Sequence, residues 1–164
     1  MISRMYSVLH TRIQIGTGAA CLMVAILAGA GVAVSHGGAT GVVKERMEAM
    51  KDMGGRMKAM AAMVRGRTPF DAASAKEAAD VIAAHARDVP RLFPKGSRHG
   101  PSEAVEKIWL EWPQFVAEAK ALEDRADALG RQTATAKSGA DLGRAFGDIG
   151  RSCKSCHGRY REKK

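Results

Sequence analysis

The stretch "LGRAFGDIGRSCKSCHGRY", residues 142–160, carries its apolar side chains at the spacing of a helix. Successive members are alternately four and three residues apart, and they are Leu142, Phe146, Ile149, Cys153, Cys156 and Tyr160. This spacing places them on one face of an α-helix, where they can pack against other helices. The stretch therefore predicts an amphipathic helix with both cysteines on its inward face.

Three segments upstream repeat the pattern. The first stripe consists of Val43, Met47, Met50, Gly54, Met57, Ala61 and Val64. The second consists of Ala78, Val81, Ile82, His85 and Val89. The third consists of Ile108, Trp112, Phe115, Ala119, Leu122, Ala126 and Leu129. Each stripe has the period of a helix rather than that of a strand, and His85 is expected to be a histidine of the core.

Local signals mark where these helices begin. Asp71 is a candidate N-cap of the second helix. Proline is tolerated in the first turn of a helix, so Pro113 predicts that the third begins near residue 112. Ser138, with Asp141 three residues later, resembles a capping box. Residues 91–101, "RLFPKGSRHGP", contain two prolines and two glycines and predict a long loop.

Four amphipathic helices joined mostly by short links predict an all-α fold. The expected architecture is an antiparallel up-down-up-down four-helix bundle over residues 36–164. Residues 1–35 are instead typical of a secretory signal peptide, with a basic start, an apolar stretch and a small-residue cleavage site at Ala33 and Ser35. An uncleaved membrane anchor is the alternative, because the apolar stretch approaches the ~20 residues that a spanning helix needs.

Composition excludes several classes of function. The chain has a formal net charge of +9, and cleavage after Ser35 would remove two arginines and no acidic residue. A nucleic-acid partner is nevertheless not expected, because export removes the opportunity and only 5% of the residues are aromatic. The chain shows no paired carboxylates, no glycine-rich phosphate loop and no Ser-His-Asp arrangement, so we do not expect an enzyme.

Cleavage would also remove Cys21 and leave Cys153 and Cys156. A disulfide between residues three apart would close almost no loop and would stabilise little. The pattern C-x-x-C-H is the attachment signal for c-type haem. On one helix face both cysteines can bond one edge of the haem as thioethers, and His157 then lies beside the iron and can ligate it.

Two other kinds of site share part of this pattern. A redox dithiol usually opens a helix, where the helix N-terminus lowers the pKa of the thiol, whereas this motif lies near a helix C-terminus. A zinc site needs a fourth ligand, and His85 and His99 are single histidines far along the chain. Both alternatives are weaker than haem c but remain possible from the sequence alone.

The sequence resembles the cytochrome c-prime family, the class II c-type cytochromes. The matching segments are "RMEAM" and "GGRMKAM" in the first helix, "PFD", "LFPKGS", "IW" with Phe115, and "GRSCKSCHGRYR" at residues 150–161. Together they cover nearly all of residues 36–164. The resemblance implies a four-helix bundle with one haem c near the C-terminus, in the periplasm, and homodimers formed through the first two helices in many members.

The resemblance also raises the question of the second iron ligand. High-spin members leave the iron with its histidine alone, whereas low-spin members, often called cytochrome c-556, use a methionine of the first helix. Met50 occupies that position here. It lies ~14 Å into the first helix and His157 lies ~9 Å before the end of the fourth, so antiparallel packing brings both to similar depth. The alternative is that Met50, like the methionines around it, only fills the core.

Two functions follow from this choice. With Met50 bound, the protein is expected to carry single electrons between Fe(III) and Fe(II). With Met50 off the iron, it is expected to bind a diatomic gas, nitric oxide or carbon monoxide. A haem-free interaction bundle is a third class of function, and the paired cysteines with their adjacent histidine argue against it.

Basic side chains complete the predicted site. Arg46 and Arg56 are candidate partners of the haem propionates, and the resemblance implies that Arg161 covers the histidine side of the haem. A basic cluster beside the motif, formed by Lys154, Arg159, Arg161, Lys163 and Lys164, predicts docking of a redox partner protein with an acidic surface. An ordinary solubilising surface is the alternative for this cluster.

Overall fold

The computed structural model describes residues 38–163. The α-helices in this part are α1 (Gly41–Val64), α2 (Ala72–Asp88), α3 (Lys107–Leu110), α4 (Trp112–Gln132) and α5 (Gly143–Tyr160). Single turns of 3-10 helix occur at Val89–Leu92 and Gly139–Leu142. The predicted signal peptide, residues 1–35, lies outside the described residues.

The four long helices pack side by side as a bundle. Helix α4 packs against both α2 and α5, and α1 packs against α2 and against the 3-10 turn that precedes α5. Between residues 38 and 163 no strand is present, apart from an isolated antiparallel bridge between Ala104 and Arg161. The prediction of an all-α four-helix bundle is confirmed.

The predicted helix starts are also confirmed. The carboxylate of Asp71 accepts a hydrogen bond from the backbone N–H of Ser74 at 2.6 Å and caps α2. Pro113 lies in the first turn of α4. Ser138 and Asp141 form the reciprocal capping box, but it opens the 3-10 turn that leads into α5 rather than α5 itself.

Helix α1 presents two different inner faces. The buried face consists of Val43, Arg46, Ala49, Met53, Met60 and Met63. The predicted stripe shares Val43 with this face but is centred about a quarter-turn further round, and its members Met47, Met50, Gly54 and Met57 line a cavity. One helix therefore contributes to both the core and the wall of a cavity.

The inner face of α2 is built mainly from alanines, which are Ala75, Ala78, Ala79, Ala83 and Ala86, together with Ile82. These small side chains let α2 approach its neighbours closely. The prediction that His85 belongs to the core is wrong: its side chain is 31% exposed, and its Nε2 lies 2.9 Å from Asp52 Oδ2 on α1. A hydrogen-bonding partner on the neighbouring helix explains why the histidine lies near an apolar face without being buried.

Gly139 sits where α1 and the turn before α5 come closest. A Cβ at this position would lie 2.1 Å from the carbonyl oxygen of Met63, well inside van der Waals contact. Only glycine permits this approach of one backbone to another.

None of the helices between residues 38 and 163 is both long and apolar enough to cross a membrane.

Candidate functional site

A cavity of about 680 Å³ lies among α1, α4 and α5, closed at one end by the loop that precedes α3. Met50 reaches it from α1, and Cys153, Cys156 and His157 reach it from α5. Most other lining side chains are apolar, including Phe115. The fold therefore brings Met50 of the first helix together with the cysteines and histidine of the CKSCH motif in the last helix.

Both cysteines are partly buried on the inward face of α5. Cys153 packs against the cluster that contains Met53 and Ile149, and Cys156 packs against the cluster that contains Phe115. Burial raises the pKa of the Cys153 thiol. Burial, followed by the nearby Glu118 carboxylate, raises the pKa of Cys156 to about 11. A redox-active thiol needs a lowered pKa, so this environment argues against a dithiol.

His157 lies in the last turn of α5 and opens onto the cavity. Its pKa is lowered, chiefly by burial of the ring among its neighbours and then by the positive charge of Arg161, while Glu103 opposes the shift. A lowered pKa keeps the imidazole neutral at pH 7. The neutral ring is the form that can bind a metal ion.

Methionines form the wall that faces α5. Met47, Met50, Met53 and Met57 all line the cavity. Met50 is partly buried and packs against both apolar clusters of the bundle. A thioether is a soft, neutral donor that suits haem iron.

Arg46 is almost fully buried, with 3% of its surface exposed, although its side chain also borders the cavity. Its guanidinium donates to the Ser97 hydroxyl at 3.0 Å, to the Ser97 carbonyl at 2.7 Å and to the Ser102 hydroxyl. The same group lies 4.8 Å from the ring centre of Phe93. Arg46 therefore ties α1 to the loop that closes the cavity.

That loop is also joined to the end of the chain. Arg161 Nε donates to Glu103 Oε2 at 2.6 Å, and the backbone N–H of Glu162 donates to the carbonyl of Glu103 at 2.8 Å. The N–H of Val105 donates to the carbonyl of Tyr160 at 3.2 Å. We call these contacts the clasp; both Glu103 and Arg161 line the cavity beside His157.

Arg56 lies elsewhere. Its guanidinium pairs with Asp52 at 3.3 Å and with Glu77 of α2 at 2.8 Å, and the residue is not part of the cavity wall. The geometry thus gives no support to Arg56 as a partner of a cavity ligand. Arg46 and Arg161 both border the cavity, as a group that contacts a haem propionate must.

A family model described as cytochrome c′ matches residues 41–161. The chain belongs to the cytochrome c′ family. It is 39% identical over 121 residues to cytochrome c′ of Pararhodospirillum photometricum, a match that covers 73% of this chain and 95% of the relative. It is 40% identical over 126 residues to cytochrome c-556 of Agrobacterium fabrum, covering 77% of this chain and 84% of the relative.

The structure is similar to a solved nitric oxide complex of a cytochrome c′ mutant from Alcaligenes xylosoxidans. The TM-score is 0.67 and the identity 32%, and the match covers 75% of this chain and 94% of that one. The chain matches relatives named cytochrome c′ and cytochrome c-556 at almost equal identity. These matches place it in the family but do not show which of the two kinds of member it is.

Members of the cytochrome c′ family bind one c-type haem with its iron, and the cavity fits such a group. Its volume lies within the ~300–1,000 Å³ usual for ligand pockets, and its walls are mostly apolar. Cys153 and Cys156 would hold the haem covalently and His157 would ligate its iron. A zinc site finds no comparable support, since no three or more His, Cys, Asp or Glu side chains among residues 38–163 are grouped so that they could hold a metal ion.

Several contributors to the site have no signal in the sequence. Ser97, Ser102 and Glu103 lie in an irregular loop, where neither helical nor strand periodicity applies. The segment "LFPKGS" marks the loop as a family feature but does not indicate that its serine receives Arg46. Only the fold shows that this loop meets both α1 and the end of α5.

Proposed function

We propose that this member of the cytochrome c′ family carries single electrons in the periplasm, with His157 and Met50 as the axial ligands of its haem iron. One observation carries the proposal: Met50 of α1 lines the same cavity as Cys153, Cys156 and His157 of α5. The predicted signal peptide supports export. No substrate is transformed in this role, so the protein is not expected to be an enzyme.

The haem supplies a one-electron Fe(III)/Fe(II) couple when bound, and a histidine–methionine ligand pair raises its potential. The chain supplies the conditions for fast exchange. Two neutral ligands on two helices of one bundle can stay in place in both oxidation states, so little structure has to reorganise. The apolar side chains that line the cavity, among them Phe115 and Met53, would keep water away from a haem held there.

Gas binding is the second candidate, and one finding favours it. A related cytochrome c′ mutant has been solved as a nitric oxide complex, so this fold can admit a diatomic gas. Met50 lies among three other methionines of the wall, and unbranched methionine side chains repack readily. If the Met50 thioether does not bond the iron, nitric oxide or carbon monoxide can take the sixth position.

The optical spectrum of the purified haem-loaded protein separates the two functions. We expect sharp low-spin bands in the reduced state, a ferric charge-transfer band typical of sulfur ligation, and little change on adding carbon monoxide. A broad high-spin spectrum that sharpens with carbon monoxide would instead assign gas binding and leave Met50 as core filler.

Two matched variants identify the sulfur. Met50→Leu is expected to abolish the ferric charge-transfer band and to make the reduced protein bind carbon monoxide. Met57→Leu removes a second methionine from the same wall two turns away and is expected to leave the spectrum unchanged. Loss of the band in Met57→Leu alone would assign Met57 as the ligand.

A further inference from the structure

A second, open depression runs along the outside of the bundle between α4 and α5. We call it the α4–α5 groove; its volume is about 540 Å³. It is lined by Gln114, Ala117, Glu118, Ala121 and Arg125 of α4 and by Arg151, Ser152, Ser155 and Arg159 of α5. The lining therefore contains three arginines and one carboxylate.

The arginines are not all neutralised by acidic neighbours. Arg125 donates to the Ser152 hydroxyl at 2.5 Å and to the carbonyl oxygen of Ala121 at 3.4 Å, both of which are neutral acceptors. Arg151 pairs with Asp148 one turn earlier, and its side chain is 71% exposed. The groove thus keeps an excess of positive charge that faces solvent.

The groove shares a wall with the haem cavity. Glu118 and Ser152 line both of them. Ser152 directly precedes Cys153, the first of the two haem-attaching cysteines. A molecule seated in the groove would therefore contact residues that also border the cavity in which Cys153 and Cys156 would hold the haem, which offers a route for an electron between the surface and the haem.

The basic cluster predicted from the sequence looks different in the structure. Arg161 is paired with Glu103 at 2.6 Å, and Arg159 lies 3.3 Å from Glu111 and 3.8 Å from Glu118. Two of the five positive charges of that cluster, those of Arg159 and Arg161, are therefore matched locally. The fold adds Arg125 of α4, which no spacing in the sequence connects to α5.

We propose that the α4–α5 groove is the docking surface for an acidic redox partner protein, with carboxylates of the partner seated against Arg125 and Arg151. The inference rests on the proposed electron-carrier function and names the surface that serves it. During one encounter a single electron passes between the one-electron centre of the partner and the haem iron, so that one is oxidised as the other is reduced.

The test uses hexaglutamate as the acidic probe and the reduced haem-loaded protein labelled with ¹⁵N. At low ionic strength, where the Debye length is ~30 Å at 0.01 M salt, charge effects on binding are least screened. We expect the peptide to shift backbone amide signals of residues 114–125 and 151–159. The double variant Arg125→Gln with Arg151→Gln is expected to weaken peptide binding about fivefold or more.

The matched control is the double variant Arg65→Gln with Arg67→Gln. It removes the same charge from two exposed residues that follow the C-terminal end of α1 and do not line the groove. We expect it to leave peptide binding nearly unchanged. Equal weakening in both double variants would overturn the proposal in favour of overall charge. Equal shifts from inorganic phosphate at the same total charge would overturn it in favour of a site for free anions.

The optical spectrum of each sample keeps this test separate from the electron-carrier proposal. A high-spin spectrum with peptide binding intact would refute Met50 ligation and leave the groove as an acidic-protein surface. A low-spin spectrum without peptide shifts in the groove would refute the docking surface alone. If the double variant loses haem, the single Arg151→Gln variant, at an exposed position, takes its place and is expected to weaken binding at least twofold.

Discussion

Arg46 illustrates how a single residue can be recognised from sequence while its role is only partly foreseen. Its position one turn before Met50 predicts a contact with the haem. In the structure Arg46 does border the cavity, but its guanidinium is already engaged by the Ser97 carbonyl and by two serine hydroxyls. Burial lowers its pKa, yet an arginine stays charged at pH 7. The residue therefore anchors the loop as well as facing the cavity.

Replacing Arg46 by methionine should test this anchoring role. The change leaves the buried Ser97 carbonyl without the donors of Arg46, so we expect the free energy of unfolding to fall by about 2–3 kcal/mol. Guanidinium unfolding of the reduced haem-loaded protein measures this. Arg56→Gln, at a surface pair, is the control and should change stability little. Equal losses in the two variants would contradict the anchoring role.

Asp141 supplies a pH-dependent contribution at the start of the turn before α5. Its carboxylate accepts hydrogen bonds from the backbone N–H groups of Lys137 and Ser138, which hold its pKa below the usual value. A lowered pKa stabilises the fold above the ordinary aspartate pKa of about 3.9, and this stabilisation is lost as the pH falls through the lower folded value.

Asp141→Ala should therefore be less stable than the wild type at neutral pH, and the two should converge in acid. Thermal unfolding measured across the acidic range compares them. A stability difference that stays constant from pH 7 to the acid limit would show that the charge of Asp141 contributes nothing to the cap.

At the scale of a helix, the sequence predicts that α1 exists but not which of its faces is packed. Methionines occupy both the buried face and the cavity wall of α1, and hydrophobic spacing cannot distinguish a residue that lines a cavity from one that packs in the core. In α4 the same reasoning succeeds, because Phe115, Leu122 and Leu129 are large and share one face, and all three are buried. Hydrophobic periodicity identifies the packed face of a helix when the side chains on its two faces differ in size.

Two adjacent glycines in α1 test the assignment of the cavity wall. Gly54 and Gly55 are both exposed, and a Cβ at either would meet no atom within 4 Å, but of the two only Gly54 lines the cavity. Gly55→Ala should raise the free energy of unfolding by about 0.5–1 kcal/mol and leave the haem spectrum unchanged. Gly54→Ala should alter the spectrum, because its methyl group enters the cavity beside Met50. Identical spectra in both variants would contradict the assignment of the two faces.

Irregular segments account for what the sequence could not predict about the site. The clasp joins the loop around Glu103 to residues 160–162, about sixty positions later in the chain. Its backbone hydrogen bonds do not require particular residue types, so the sequence does not indicate them. The motif CKSCH, in contrast, identifies three site residues at once, because haem attachment requires those residue types at that spacing. Site residues whose chemistry requires a fixed spacing can therefore be predicted from a sequence, whereas the packing of an irregular loop cannot.

At the scale of the whole molecule, the predicted cleavage after Ser35 and the covalent haem can be tested together. Intact-mass measurement of protein collected from the periplasm should give a chain that starts at His36 and carries one haem. A mass that retains residues 1–35 would support the membrane-anchor alternative. A mass without haem would contradict covalent attachment through Cys153 and Cys156.

Assembly also belongs to this scale. The resemblance to the family predicts a homodimer formed through the first two helices, and the outer faces of α1 and α2 carry the pairs Asp52–His85 and Arg56–Glu77. A dimer on these faces would leave the α4–α5 groove open. Each subunit of such a dimer would then keep its own α4–α5 groove accessible.

Gly139 is the point of close backbone contact between α1 and the turn before α5. The backbones of α1 and the turn before α5 touch at this residue, while further along the same two helices hold Met50 and His157 on either side of the cavity. Any side chain at position 139 would push the two backbones apart, because its Cβ would lie 2.1 Å from the carbonyl oxygen of Met63. Gly139 would thus help to set the spacing between the cavity walls that carry Met50 and His157, although it does not itself line the cavity.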